Sequence, residues 1–353
     1  MAFSPSFKVM GIEIELHWSL LLLLLLIFAA QGIDAALYIL FIFMFVVLHE
    51  LSHSYVAIKN GVEVRKITLF PIGGMATIDD VAVSPDVEFK LALAGPLFNF
   101  VVIILALLLD IIVNNAAISE FLWIIIQINL VLGVFNLLPA IPLDGGRVWR
   151  SWREKKVGHL RATVEAVGLS RFIALLLLLL SLIIGLAQDD FSFLIWNSLI
   201  SAVIYLGSQA ELSIAVLKES AKGLFVRDAM SFSTFSIGPH STLRDASSVM
   251  YATRSPVVIM SGSPLRLLSY RHLLGIERSK WGKIRAVDVA QPAPLCRMDE
   301  PILDAWKKMK SEDVSLLPVI FDGELIGAIS EIDVEKLLVL SRLRTSSPEK
   351  VEN

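Results

Sequence analysis

The chain has 353 residues, 55% of them hydrophobic and only 18% charged, with a formal net charge of −3; a soluble domain usually carries about a quarter charged residues. Neither part is basic enough to suit nucleic acid: up to Leu217 there are 12 Lys and Arg against 17 Asp and Glu, and from Lys218 onward 19 against 17. The single cysteine, Cys296, excludes a disulfide within the chain and suits a reducing compartment for the last third.

Six apolar segments of about twenty residues read as membrane spans: 18–30 (extendable to 31), 35–58, 89–113, 121–138, 169–186 and 193–216. The first is short and ends in Ala29-Ala30 like a signal-peptide core. The leader before it has Lys8 as its only cation and carries Glu13 and Glu15, so a retained span is expected. Loops around Asp34, 114–120 and 188–190 contain no Lys or Arg. The alternate loops hold Lys59, Arg65, Lys66 and Lys90, then Arg147, Arg150, Arg153, Lys155, Lys156 and Arg161. Cations favour the inner side, so a multi-pass protein of a cell membrane with both termini cytoplasmic is expected.

His49-Glu50-Leu51-Ser52-His53 ends the apolar run of the second span. On a helix His49 and His53 lie one turn apart on one face. Two neutral imidazoles so spaced can share one Zn²⁺, with Glu50 beside them to take a proton from the attacking water. Ionisable groups at membrane depth are rare and usually functional. A catalytic zinc needs a third protein ligand. The candidate is Asp144, in Asn136-Leu137-Leu138-Pro139-Ala140-Ile141-Pro142-Leu143-Asp144-Gly145-Gly146, where two prolines make the backbone irregular. The Gly pair is expected to let the chain turn this carboxylate back toward the core. The plain alternative is that Asp144 caps a helix over 145–153.

With Pro71-Ile72-Gly73-Gly74 and Gly95-Pro96-Leu97-Phe98-Asn99, these motifs resemble those of the site-2 protease family of intramembrane zinc metalloproteases, in the branch with C-terminal CBS domains. The resemblance covers the first 217 residues or so. It implies one zinc per chain on His49, His53 and Asp144, with Glu50 as general base. It also implies that Asn136 hydrogen-bonds the substrate backbone; an interhelical hydrogen bond is the alternative. Residues 64–78 read as a small sheet-like segment at the membrane, with Gly73 and Gly74 at its turn. A strand edge there would hold an unwound substrate segment, since a helix hides its carbonyls. Pro96 should kink its span, or simply let helices pack closely.

Residues 223–343 show a weak internal repeat. Residues 226–230, 242–246, 256–260 and 267–274 recur as 286–290, 301–305, 317–320 and 326–334. The pattern resembles a tandem CBS pair, units 223–278 and 285–343, a module that often binds adenosine nucleotides such as ATP or AMP. In the second unit Ser330 and Asp333 fit the ligand pattern, a hydroxyl toward phosphate and a carboxylate toward ribose. In the first, His272 stands where the aspartate would be. The plain alternative is that Ser330 and Asp333 cap a helix.

The expected architecture is a polytopic α-helical membrane protein of about six spans with a small β segment (1–217), a C-terminal α/β CBS pair (218–345) and a polar tail (346–353). The expected function is cleavage of a transmembrane segment of a substrate protein, modulated by nucleotide at the CBS pair, through which a homodimer could also form. The rivals are a membrane zinc transporter, which has no use for Glu50, and an inactive scaffold.

Overall fold

The computed structural model describes residues 4–9, 11–71, 73–78, 83–113, 115–232, 236–262 and 264–346. The polar tail beyond Ser346 lies outside them. Two compact units emerge, Met1–Ala215 and Val216–Asn353.

The first unit opens with two strands, β1 (Ser6–Val9) and β2 (Ile12–Leu16), joined through Gly11 at φ 85°. In Ile-Glu-Ile-Glu-Leu the isoleucines are buried and the glutamates half-buried, the alternation of a strand with one face covered. Helix α1 (Trp18–Gln31) follows, its first turn capped by His17, which accepts from the Ser19 N–H. Gly32, at φ 87°, ends it and starts α2 (Ile33–Lys59). Strands β3 (Val64–Phe70) and β4 (Gly73–Ile78) complete a sheet of order β1-β2-β3-β4, parallel only between β2 and β3. The segment read as a polar leader is therefore half of this sheet. Ile14, Ile67 and Leu69 are fully buried beneath Leu20, Phe43 and Leu91. Each such side chain contributes roughly 1.5–3 kcal/mol of burial. Across β2 and β3, Lys66 pairs with Glu15 and holds its carboxyl below the usual carboxylate range.

Five long helices follow: α3 (Pro85–Val113), α4 (Ala116–Asn136), α5 (Asp144–Val157), α6 (His159–Ala187) and α7 (Phe191–Ser220). Among the described residues, α2, α3, α4, α6 and α7, of 21 to 30 residues, are long and apolar enough to cross a membrane. The first expected span coincides with the apolar, 14-residue α1. At 1.5 Å per residue its helix covers about 21 Å of a core about 30 Å thick. The strand before it and the glycine after it set that length. Arg150 ties three helices together: Nε and Nη2 donate to Glu88 of α3, and Nη1 donates to Glu211 of α7 at 2.9 Å. Glu88 and Arg150 are both buried. Removing one partner of such a pair typically costs 3–5 kcal/mol, because the other charge is left buried alone.

The second unit repeats one pattern. A 3₁₀ turn (Val226–Asp228), β5 (Ser236–Ile237), α8 (Leu243–Thr253), β6 (Val257–Met260), β7 (Arg266–Ser269) and α9 (Tyr270–Leu274) make the first copy. The second comprises a 3₁₀ turn (Ala286–Asp288), β8 (Gln291–Pro292), β9 (Cys296–Arg297), α10 (Ile302–Ser311), β10 (Leu316–Phe321), β11 (Glu324–Ser330) and α11 (Glu331–Ser346). The sheets are β5-β6-β7-β8 and β9-β10-β11. The copies interlock: β8 pairs with β7, and Ser231 bridges Ala328. Cys296 is a core residue whose thiol burial pushes up to about 12.

Candidate metal centre

Two helices deliver three donor atoms to one point. His49 and His53 project from one face of α2. Asp144 is the first residue of α5. His49 Nε2 and His53 Nε2 lie 3.1 Å apart, and Asp144 Oδ2 lies 3.1 and 3.2 Å from them. The capping alternative for Asp144 does not describe its carboxylate. Leu143 occupies the N-cap without a side-chain bond, and the carboxylate faces the histidines.

The opposite edges of the two imidazoles are occupied. His53 Nδ1 lies 2.6 Å from the Leu91 carbonyl, which can only accept, so Nδ1 carries the hydrogen. His49 Nδ1 lies 2.5 Å from Asn99 Oδ1. With both hydrogens on Nδ1, each Nε2 turns a lone pair toward Asp144 Oδ2. Three lone pairs within 3.2 Å of one another repel unless a cation lies among them. Zinc bonds of about 2.0–2.1 Å in a tetrahedron separate ligand atoms by about 3.3–3.4 Å. The spacing fits. Among the described residues, His49, His53 and Asp144 are the group able to hold a metal ion.

Glycines let the backbone come this close. A Cβ on Gly95 of α3 would fall 2.4 Å from His53 Nε2 and 2.5 Å from His49 Nε2. Pro96 beside it has no N–H to close on the Ala92 carbonyl. In that loosened turn the Leu91 carbonyl receives His53. Gly145 and Gly146 act by close approach rather than by unusual dihedrals: a Cβ would fall 2.2 Å from the Leu137 oxygen and 2.3 Å from the Ile141 nitrogen. The start of α5 therefore packs directly on the 137–141 backbone, whose Ile141 N–H donates to Ser170 at 2.7 Å.

Glu50 lies against β4, where a Cβ on Gly74 would fall 2.6 Å from its Cγ. Gly73, at φ 138°, holds a conformation that side chains rarely adopt. His49, His53, Asp144, Glu50 and Gly74 thus come together. Asn136, the last residue of α4, donates Nδ2 to Leu132 of its own helix at 3.0 Å. Sequence reasoning missed Asn129, one of two polar residues in Ile-Ile-Ile-Gln-Ile-Asn-Leu-Val, which stands behind Asn99.

Ser330 and Asp333 are spent on each other. Ser330 Oγ donates to Asp333 Oδ2 at 2.5 Å, and the Asp333 N–H returns to Ser330 Oγ at 3.3 Å, capping α11. In the first copy His272 takes the aspartate's place in the same cap, its Nδ1 accepting from the Ser269 N–H at 3.2 Å. A cavity of ≈ 530 Å³ opens beside this cap, lined by Ser269, Arg271 and His272 of the first copy and by Lys310, Asp313 and Glu331 of the second, among others.

The Peptidase family M50 profile matches residues 37–115 and 108–180, and the CBS domain profile matches 284–340. A zinc metalloprotease of Methanocaldococcus jannaschii is 31% identical over 348 residues, 96% of each chain. Rip3 of Mycobacterium tuberculosis is 27% identical over 376 residues, covering 98% of this chain and 95% of its own. The solved site-2 protease of M. jannaschii is 37% identical, covering 60% of this chain and 95% of its own, with a TM-score of 0.45. The near full-length likeness to a zinc metalloprotease sets the transporter and the inactive scaffold aside. A proline-bearing helix pressed on two histidines, an aspartate arriving from a second helix and a CBS domain later in the chain belong to one lineage: the chain is a member of peptidase family M50, a site-2 protease-like zinc metalloprotease of the membrane.

Proposed function

We propose that the protein is an intramembrane zinc endopeptidase that cuts a transmembrane segment of another protein, with His49, His53 and Asp144 holding one Zn²⁺ and Glu50 as the general base. The observation that carries this reading is the meeting of two imidazole lone pairs, on a helix long enough to cross a membrane, with the Asp144 carboxylate from a second helix, and with the Glu50 carboxylate one residue from His49. The bound ion supplies Lewis acidity and a water of lowered pKa. Glu50 takes the proton of the attacking water and returns it to the leaving amide nitrogen. β4, at the edge of its sheet and against Glu50, pairs with the unwound substrate and holds its scissile carbonyl exposed. Gly73 and Gly74 leave room for that backbone. Asn136, its NH₂ already engaged, offers Oδ1 to a substrate N–H.

The test is cleavage of a single-span substrate in proteoliposomes, read by mass spectrometry of the new ends. Ends inside the span are expected, with about one Zn²⁺ per chain. Asp144→Ala should lose both metal and cleavage. Full metal and full activity in that variant would remove Asp144 from the ligand set.

We further propose that both termini are cytoplasmic. The Lys and Arg distribution supports this, and so does α5. Its Trp149 and Trp152 rings lie 5.5 Å apart with Lys156 4.8 Å above Trp152, a pairing suited to a membrane interface. Single cysteines at 153 and 218 should react with an impermeant thiol reagent only from the cytoplasmic side, and one at 190 only from outside. Buried Cys296 gives little background. Labelling of position 190 from the cytoplasm would invert the orientation.

For the C-terminal unit we propose an adenosine nucleotide, ATP or AMP, as ligand and modulator of cleavage. The cavity beside the His272 cap supports this; Ser330 and Asp333 define the equivalent position of the second copy. Calorimetry on the full chain in detergent, comparing Arg271→Ala with Asp333→Ala, separates the two places. If neither nucleotide binds at millimolar concentration, homodimerisation is the better reading of this unit.

A further inference from the structure

We infer that Asn99 and Asn129 are positioning residues that set the tautomer of His49, through a one-directional chain of hydrogen bonds anchored on the Ile125 carbonyl. The inference rests on the reading of His49 as a metal ligand through Nε2.

A neutral imidazole has one N–H and one lone pair. His49 can turn its Nε2 lone pair to a cation only if Nδ1 holds the hydrogen. His53 has this settled by a backbone carbonyl, which never donates. His49 faces a side-chain amide instead, and an amide has two ends. Turned over, Asn99 would present its NH₂ to Nδ1. The hydrogen would then move to Nε2 and block the ligand position.

Asn129 removes that choice. Asn99 Nδ2 lies 2.9 Å from Asn129 Oδ1. Asn129 Nδ2 lies 2.9 Å from the Ile125 carbonyl, one turn earlier in α4. That carbonyl only accepts, so Asn129 must put its NH₂ there and its oxygen toward Asn99. Asn99 must then put its NH₂ toward Asn129 and its oxygen toward His49 Nδ1, at 2.5 Å. Turning either amide over sets oxygen against oxygen or hydrogen against hydrogen. Neither residue has any exposed surface, so water cannot repair the mismatch. The helices are close enough for this contact because Gly133 shares the face of Asn129. A Cβ there would already lie 3.3 Å from Asn99 Cβ. Partners behind a metal-binding histidine fix its tautomer and orientation; here the control lies two side chains away, on another helix.

Two buried asparagines could instead be plain glue between α3 and α4. A cycle of full-length variants, read by zinc affinity in competition with a chelator, separates the two. Asn129→Leu touches no ligand, yet it should weaken zinc binding roughly 10- to 100-fold. Asn99→Asp can place its proton on whichever oxygen faces Asn129 Oδ1 and leave the other as acceptor, and so holds the Nδ1 hydrogen without help. Its zinc affinity should stay near that of the natural chain, and adding Asn129→Leu to it should change affinity less than about threefold. Equal losses in both backgrounds, or no loss from Asn129→Leu alone, overturn the inference. Should Asn129→Leu not fold, Asn129→Ala carries the same comparison. Asp144→Ala is measured alongside: full zinc retention there means that the ligand reading has failed, whatever the asparagines do.

Discussion

Replacing Glu50 by glutamine is expected to abolish turnover and leave the metal in place. The side chains are the same size, so the contact of Glu50 with Gly74 survives. The three donor atoms are untouched, because Glu50 is not among them. What disappears is the group that accepts and returns a proton. General acid–base catalysis is typically worth 10²–10⁴-fold in rate, about 3–5.5 kcal/mol of barrier. The variant should bind zinc with unchanged stoichiometry, cleave at least 100-fold more slowly and co-purify with uncut substrate. Cleavage within tenfold of the natural rate would mean that another group moves the proton.

Gly95→Ala should be as damaging for a different reason. The added methyl would fall 2.4–2.5 Å from ring atoms of both histidines, closer than real Cβ contacts. Those rings cannot step aside cheaply, since Asn99 and the Leu91 carbonyl hold their far edges. Alanine is the better helix former by about 1 kcal/mol, so loss of α3 is not the explanation for any defect. Zinc content measured on the purified protein should fall sharply, and cleavage with it. Gly133→Ala is the milder comparison, because its methyl meets Asn99 Cβ at 3.3 Å and the Phe100 ring at 3.7 Å but no ligand atom; it should lose less zinc than Gly95→Ala. Full metal content in Gly95→Ala would show that α3 can retreat from the site.

Much of this centre is legible in one dimension. The i, i+4 spacing puts His49 and His53 on one face whatever surrounds them. An acid among hydrocarbon residues marks itself out, and the Gly pair beside Asp144 announces a tight place. The reason for the Gly pair was not legible: it answers backbone approach by 137–141, which depends on how α5 packs. The strand Ile12–Leu16 carried its signal openly in alternating Ile and Glu. Placed before an apolar run, it reads equally well as a leader, and only pairing with β3 decides between them. Asn129 had a weaker signal still, a polar residue two places after Gln127 in a mostly apolar helix, with nothing to say which neighbour it meets.

The sequence by itself determined the membrane setting, the residue types that meet at the candidate metal centre and the repeat in the C-terminal third. These are properties of composition and period, and they survive any packing. Tertiary structure alone decided that Ile12–Leu16 pairs in a sheet, that Asp144 reaches the histidines rather than capping its helix, and that a chain of amides stands behind His49. Each of these depends on which atoms far apart in the chain come within hydrogen-bonding or van der Waals distance. Local sequence does not encode such distances, because they are set jointly by every helix that packs against the site.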